Sequence, residues 1–322
     1  MRVTTKADPT APQSNPVDAD AGPLPGQSAN PPSDGASFVL RPPEAILDHP
    51  RFAEARAWNL ERNLEVYGPR MFPGRMPSDV RRTVLIGIIS RSLGVAGDRH
   101  SVLTPTRLKE RMEAFGLYSA RQVDAYLARL VATGFIEITP HPDDRRVRAI
   151  RPLEPLGLWH AAMLDLYFHP LQLLFPNPAF DLILKRDVEF LPVLGRISTD
   201  EEALATARLV LGHDPDYTAL ISRGSGGLLV NAVLKHLSDT GRAEMEEATI
   251  VALGTAIGRS RSHLRNLLTA AIEAGFMERA GAKGQVLRIL PRLVTTAERF
   301  FADSLRTYEY TFGRAERAYR QG

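Results

Sequence analysis

The feature that most limits the fold of this chain is an internal repeat. Residues 119–137, SARQVDAYLARLVATGFIE, align without a gap with residues 260–278, SRSHLRNLLTAAIEAGFME. In both stretches apolar residues recur at a four-residue spacing, which places them on one face of a helix. These residues are Val123, Leu127 and Val131 in the first stretch and Leu264, Leu268 and Ile272 in the second. The spacing therefore predicts the same amphipathic helix twice.

Both ends of the repeated helix are chemically specified. Ser119 and Ser260 open the two stretches, and serine is a favoured N-cap because its hydroxyl accepts a hydrogen bond from a free amide of the first turn. Gly134 and Gly275 lie where each helix should end, and glycine readily adopts the left-handed conformation found there. We therefore expect two helices with well-defined starts and stops.

The segments around the repeated helix also match. Each helix is followed by two extended pieces around a polar turn, which predicts a β-hairpin, and is preceded by two further helices. A short turn at Gly116 or Gly258 joins the second of these helices to the repeated one. The hairpins fall at 135–153 and 276–293, the preceding helices at 104–115 and 246–257, and the first helices at 79–94 and 227–239. The order helix, helix, turn, helix, hairpin therefore occurs twice.

This order resembles a winged helix-turn-helix, and the first copy resembles the MarR family of bacterial regulators. The family resemblance rests on the hairpin, where Asp143-Asp144-Arg145-Arg146-Val147-Arg148 leads into Arg151-Pro152-Leu153. The second hairpin, at 280–285, lacks this acidic and arginine-rich pattern. The resemblance implies a mainly α fold with small β-wings, built as tandem winged helix-turn-helix domains.

The resemblance also implies partners. Proteins of this family form dimers through their terminal helices, and each winged helix reads one half of a DNA operator. This chain departs from that plan because it carries both copies, which could themselves form a pseudo-symmetric pair. A homodimer and a small-molecule effector therefore stay open as partners, and no cofactor is expected.

The rest of the chain divides around the two copies. Residues 1–43 are rich in Pro, Ala, Gly and Ser with few large apolar side chains, which predicts a disordered tail. Helical spacing resumes after it, with a break expected at Pro50. The predicted divisions are the tail at 1–43, an N-terminal helical packing element at 44–78, the first copy with its following helix at 79–175, an acidic helical connector at 176–222, and the second copy with its C-terminal helix at 223–322.

Basic residues are concentrated in the two copies. The net charge is only +3, but residues 81–151 contain 13 basic and 7 acidic residues, and residues 223–292 contain 10 and 6. The intervening residues 153–222 contain 4 basic and 10 acidic residues. Two separate basic blocks are typical of proteins that contact phosphate, although a charge cluster by itself is also compatible with a solvated surface.

The repeated helix is the expected reader of DNA bases, because such a helix enters the major groove with its N-terminal half. Arginine can bind guanine, asparagine can bind adenine, and serine can hold phosphate. The candidate contacts of the second copy are Arg259, Ser260, Arg261, Ser262, Arg265 and Asn266. Those of the first copy are Ser119, Arg121 and Gln122, and there Asp124 occupies the position of Arg265. The second helix is therefore expected to be the better DNA surface.

The hairpins reverse this ranking. Arg145, Arg146 and Arg148 of the first hairpin could enter a minor groove or line phosphates, whereas the second hairpin offers mainly Lys283. The alternative is that the arginines pair with Asp143 or Asp144 on the hairpin surface. Each copy is thus expected to use a different element against DNA.

Other patterns favour packing over chemistry. The chain has no cysteine, no phosphate-loop motif and no Gly-x-Ser-x-Gly elbow, so nothing motivates an enzyme. The loop 223–227 is interpreted as a flexible entry to the second copy, and His160 and His169 as packing or capping residues. An effector pocket beside the helix containing Trp159, Met163, Leu166, Tyr167 and Leu171 stays open, although such a series is usually core.

The leading hypothesis is a cytoplasmic, nucleoid-associated transcriptional regulator that binds double-stranded DNA through both winged helices. No membrane partner is expected, because no apolar run reaches the length of a bilayer span. Two alternatives remain. The chain could be a plasmid-type replication initiator, or a protein–protein adaptor of a chromosome or transcription complex. The acidic middle of the chain and Asp124 in the first copy favour the adaptor.

Overall fold

The chain folds mainly into α-helices with two small antiparallel sheets, in agreement with the predicted mixture. The computed structural model describes residues 40–67, 79–92, 102–114, 116, 118–256, 260–281 and 284–322. Most of the predicted tail, the turn at Gly258 and two candidate DNA contacts, Arg259 and Lys283, lie outside these residues.

The helices and strands are numbered along the chain. The helices are α1 (Pro43–Leu47), α2 (Phe52–Val66), α3 (Val80–Ser90), α4 (Pro105–Ala114), α5 (Ala120–Ala132), α6 (Glu154–Leu174), α7 (Asp181–Leu184), α8 (Phe190–Ile197), α9 (Glu201–Gly212), α10 (Pro215–Ile221), α11 (Gly226–Thr240), α12 (Glu247–Ala256), α13 (Arg261–Glu273) and α14 (Pro291–Gln321), with a 3-10 turn at Pro178–Phe180. The strands are β1 (Ile136–Pro140), β2 (Arg148–Pro152), β3 (Glu244–Glu246), β4 (Met277–Ala280) and β5 (Val286–Ile289).

The first copy runs from α3 to α6. Strands β1 and β2 form an antiparallel hairpin in which Ile138 faces Ile150. The Leu103 carbonyl, just before α4, accepts a hydrogen bond of 2.9 Å from the Ile150 amide, which ties the start of α4 to the hairpin. The order is therefore helix, a segment at Leu103 that is hydrogen-bonded to the hairpin, helix, helix, hairpin and long helix.

The second copy runs from α11 to α14 and contains one strand more. Strand β3 pairs with β5, and the sheet has the order β3-β5-β4. The sequence patterns missed β3, and the helix expected from residue 246 begins at Glu247 instead. Met245, the buried middle residue of β3, lies opposite Leu287 of β5, so this short strand closes one edge of the core.

Matching hydrogen bonds join the repeated helix to the following elements in both copies. In the first copy the Phe135 amide donates to the Leu130 carbonyl at 2.9 Å, and the Leu153 amide donates to the Phe135 carbonyl at 2.9 Å. In the second copy the Phe276 amide donates to Ala271 at 2.9 Å, and the Leu290 amide to Phe276 at 3.0 Å. The internal repeat of the sequence is therefore repeated in the backbone geometry.

The buried face of α5 differs from the expected one at a single position. Val123 and Leu127 are buried as predicted, but Val131 is 44% exposed, and Tyr126 and Leu130 complete the buried face instead. An α-helix has 3.6 residues per turn, so side chains spaced strictly four residues apart move progressively around the helix and away from its core-facing side. The prediction for Val131 was wrong for this reason.

Helices outside the two copies pack against both of them. The chain breaks between α1 and α2, around Pro50 as predicted, and α2 then contacts both α6 and α11. Helices α8 and α9, from the acidic stretch, pack on α14. Helices α6 and α14 also touch directly, and the rings of Tyr167 and Tyr308 stack at 3.9 Å between centroids.

Candidate nucleic-acid interface

Helix α13 is held in place by its cap and by a close approach of α12. The Ser260 hydroxyl accepts a hydrogen bond of 3.3 Å from the His263 amide, as expected of an N-cap. A Cβ atom added at Gly254 of α12 would lie 2.2 Å from Leu264 Cδ2, so an alanine there would force the Leu264 side chain to shift. This packing buries Leu264 and turns the opposite face of α13 outward.

The outward face of α13 carries the predicted polar row. The row consists of five exposed residues, namely Arg261, Ser262, Arg265, Asn266 and Thr269. Arg265 lies 3.8 Å from Glu247 with 68% of its side chain exposed, so this ion pair holds it only weakly. Guanidinium, amide and hydroxyl groups therefore stand together at the capped half of one helix.

The loop before α11 contacts the same helix. It enters α11 as predicted, but the Gly224 carbonyl also lies 2.5 Å from His263 Nε2. Ser225 is buried with a φ of 67°, and a Cβ at Gly226 would meet the Leu220 carbonyl oxygen at 2.0 Å. The loop is thus packed against the protein, and the interpretation as a simple linker misses its contact with α13.

Helix α5 is a poorer candidate for DNA contact than α13. Ser119 and Gln122 form a reciprocal capping box, in which the Gln122 side chain accepts from the Ser119 amide at 3.0 Å. Both predicted contacts are therefore engaged in starting the helix. Arg121 is exposed, but Asp124 pairs with Lys109 of α4 at 2.7 Å and is itself 56% exposed.

The first hairpin places its arginines on the surface. Arg145, Arg146 and Arg148 are exposed, and Arg148 Nη2 donates a hydrogen bond of 2.9 Å to the Ile138 carbonyl. Within the described residues, no ion pair joins any of these three arginines to a carboxylate, so the predicted alternative pairing with Asp143 or Asp144 is absent there. Their charge is therefore not neutralised by the hairpin.

The second hairpin differs because its arginines are paired. Arg279 lies 2.8 Å from Glu247. Arg288 bridges Glu244 at 2.8 Å and Glu278 at 2.6 Å, and these partners raise its pKa. The sequence could not reveal these pairs, since Glu244 belongs to β3, the strand that the patterns missed.

A cavity of about 150 Å³ lies beside α6. Trp159, Met163 and Tyr167 line it as the effector hypothesis expected, whereas Leu166 and Leu171 are fully buried in the core. His160 also lines this cavity, and burial, helped by the positive charge of Arg91, lowers its pKa to about 3.

His169 is a packing residue, as predicted. Its ring stacks on Trp58 at 4.9 Å between centroids and an interplanar angle of 3°. In the described part of the chain no cluster of three or more His, Asp and Glu side chains is placed to hold a metal ion. None of the described helices is both long and apolar enough to span a membrane.

Comparisons of the chain with protein-family models, with curated proteins and with solved structures found no match. The function is therefore inferred from the geometry of α13, α5 and the two hairpins.

Proposed function

We propose that this chain is a tandem winged-helix protein that binds double-stranded DNA in a sequence-specific manner and regulates transcription. The observation that carries the proposal is the exposed row on α13, where Arg261, Arg265 and Asn266 project from the capped half of the helix. In a winged helix this half enters the major groove. Arginine pairs there with guanine and asparagine with adenine.

The order of elements supports the winged-helix assignment. The second copy follows the order helix, strand, helix, helix, strand, strand, and its first strand pairs with its last. The first copy has the same order, with the Leu103 to Ile150 hydrogen bond in the place of the first strand. The MarR-like hairpin sequence at Asp143–Arg148 is part of this proposal, as is a bacterial, nucleoid-associated setting.

The two copies contribute differently to the proposed complex. The second copy contacts bases through α13, while its hairpin arginines Arg279 and Arg288 are compensated by glutamates. The first copy contacts DNA through the uncompensated Arg145 and Arg146 of its hairpin, which suit phosphates or a minor groove. Phosphate contacts release counterions, so the affinity is expected to depend on salt.

A fluorescence anisotropy titration of labelled duplexes tests the proposal. The wild-type chain is expected to prefer some duplexes over others and to lose affinity steeply between about 50 and about 200 mM salt. The double charge reversal Arg261→Glu and Arg265→Glu should abolish the preference. Wild-type binding without any sequence preference, left unchanged by the double reversal, would reject the proposal. The matched control is Arg51→Glu, because Arg51 is exposed on the unrelated N-terminal segment.

A protein–protein adaptor is the second candidate, and one observation favours it for the first copy. Asp124 is exposed at the position that Arg265 occupies in α13, and its carboxylate would repel DNA phosphates. Recovery of a stoichiometric protein complex, with no duplex bound by the purified chain, would decide for the adaptor.

A further inference from the structure

A second cavity of about 150 Å³ lies in the seam between the two copies. Helices α2, α3 and α6 form one wall, and α10, α11 and α14 form the other. A volume of about this size accommodates a single six-membered ring. The space is therefore suited to a small molecule that touches both copies at once.

Most of the lining is apolar and partly aromatic. Tyr217 and Ile221 of α10, Leu234 of α11 and Phe300 and Phe301 of α14 all contribute to it. Burying a flat, largely apolar ring against these side chains would be favourable, since it removes apolar surface from water.

The lining also includes polar residues with unused hydrogen-bonding capacity. Asn63 Nδ2 donates to Asn59 Oδ1 at 3.0 Å, but within the described residues the side-chain oxygen Asn63 Oδ1 has no partner. The side-chain amide of Asn231 likewise has no partner in the described part of the chain. Arg56 Nε is buried without an acceptor among these residues, although its guanidinium pairs with Glu298 through another nitrogen.

Charges in the lining are balanced. Arg56 and Glu298 form an ion pair, so neither leaves a net charge at the cavity. Asp79 accepts a hydrogen bond of 2.9 Å from the Arg82 amide and lies 3.5 Å from the Arg82 guanidinium. A charged ligand would lose part of its hydration in the cavity and would meet no uncompensated charge of opposite sign, so its burial is unfavourable. The lining therefore selects against charged ligands.

We propose that the seam cavity is a binding site for a small neutral ring that carries an amide group, such as a lactam or a pyridone. Its carbonyl oxygen accepts from the side-chain amide of Asn231, and its ring N–H donates to Asn63 Oδ1. Its apolar face packs on Phe300 and Tyr217. The side-chain groups of Asn63 and Asn231, both partly buried and without a partner among the described residues, thereby gain hydrogen bonds.

Occupancy of this site would also connect the two copies. The ligand would contact α2 and α3 on one side and α11 and α14 on the other. An effect on DNA binding through this contact rests on the proposed function. Binding of the ligand itself does not.

Ligand-observed NMR on the full chain, without DNA, tests the site with four ring compounds of similar size. The probes are 2-pyridone, benzoate, benzylamine and toluene. We expect 2-pyridone to bind at millimolar concentration and at least about tenfold more tightly than the other three. Only 2-pyridone can hydrogen-bond to both Asn63 and Asn231 without adding charge.

Variants locate the bound probe. Asn231→Leu and the smaller Asn231→Ser should each weaken 2-pyridone binding at least about tenfold, and the serine variant guards against loss caused by overpacking. Asn266→Leu is the matched control, since Asn266 is an exposed asparagine on α13. Failure of 2-pyridone to bind the wild-type chain, equal binding of all four probes, or unchanged binding to both Asn231 variants would each overturn the site. None of these outcomes bears on DNA binding, which the anisotropy titration decides separately.

Discussion

The Asp124 carboxylate lies 2.7 Å from the Lys109 ammonium group, which joins α5 to α4. In the second copy the equivalent position is Arg265, which faces Glu247 of α12 at 3.8 Å. Each copy therefore has an ion pair between the same two helices, but with the charges exchanged. The residue on the repeated helix is an aspartate in the first copy and an arginine in the second. This difference makes α5 and α13 unequal candidates for DNA contact.

Reversing the charge at Asp124 tests whether the first copy faces DNA. Asp124→Arg is expected to raise duplex affinity at low salt by about tenfold and to steepen the dependence of log K on log salt by about 1. Salt-dependent anisotropy titrations measure both quantities. Glu201→Arg, at another exposed acid, on α9, is the control. An equal gain in the two variants would show only a general charge effect.

Asn266 is expected to read a base. Its replacement by alanine should cost about 1–3 kcal/mol of discrimination at one base pair, because a bidentate asparagine–adenine contact is lost. Competition titrations with duplexes changed at one position at a time measure this discrimination. Arg51→Ala, outside both copies, should leave the preference unchanged. If Asn266→Ala weakens binding to all duplexes equally, the residue contacts the backbone and not a base.

The Ser260 cap is expected to stabilise α13. Ser260→Ala should lower the free energy of unfolding by about 1 kcal/mol, because the His263 amide loses its acceptor. Urea denaturation followed by circular dichroism measures the change. Ser262→Ala is the control, since among the described residues the Ser262 hydroxyl is hydrogen-bonded only to Ser260 Oγ, at 3.2 Å, and it does not cap the helix. Similar losses in both variants would contradict a capping role.

Gly254 is expected to set the distance between α12 and α13. Gly254→Ala should destabilise the chain by about 1–3 kcal/mol, since the new methyl group overlaps the buried Leu264. The double variant Gly254→Ala with Leu264→Ala should show a coupling free energy, because the overlap is relieved. Gly212→Ala is the control, as a Cβ there meets nothing within 4 Å. Simple additivity of the two changes would refute the close approach.

His160 is expected to make stability depend on pH. Its pKa is lowered from 6.5 to about 3 by burial and by Arg91, so below pH 6.5 the unfolded chain takes up a proton that the folded chain does not. The free energy of unfolding, as far as it depends on His160, is therefore highest above pH 6.5. It falls as the pH drops toward 3, by at most about 1.4 kcal/mol per pH unit.

The non-titrating variant His160→Gln isolates this contribution. Urea denaturation at several pH values should show a shallower loss of stability for the variant than for the wild-type chain. Parallel curves for the two proteins would mean that His160 titrates in the folded chain as it does in the unfolded one.

Local chemistry was enough to predict the repeated helix. Ser119 and Ser260 cap it, and Gly134 and Gly275 end it with φ values of 72° and 70°, because caps and left-handed glycines depend on the nearest few residues. The exposed row on α13 followed from helical spacing in the same way.

Features that depend on distant partners escaped the sequence. Strand β3 has only three residues and exists because it pairs with β5, about forty residues later in the chain. The pairing of Arg288 with Glu244 depends on that strand, so the neutralised second hairpin could not be foreseen. The polar edge at Asn63 and Asn231 likewise requires α2 to pack on α11.

Selection of bound duplexes from a random pool tests the central claim most directly. The wild-type chain should enrich a motif whose best-defined positions include guanine and adenine, and Arg261→Ala with Arg265→Ala should lose the enrichment while retaining salt-sensitive binding through Arg145 and Arg146. A pool that stays random with the wild-type chain, or a motif that the double variant selects equally well, would contradict base reading by α13.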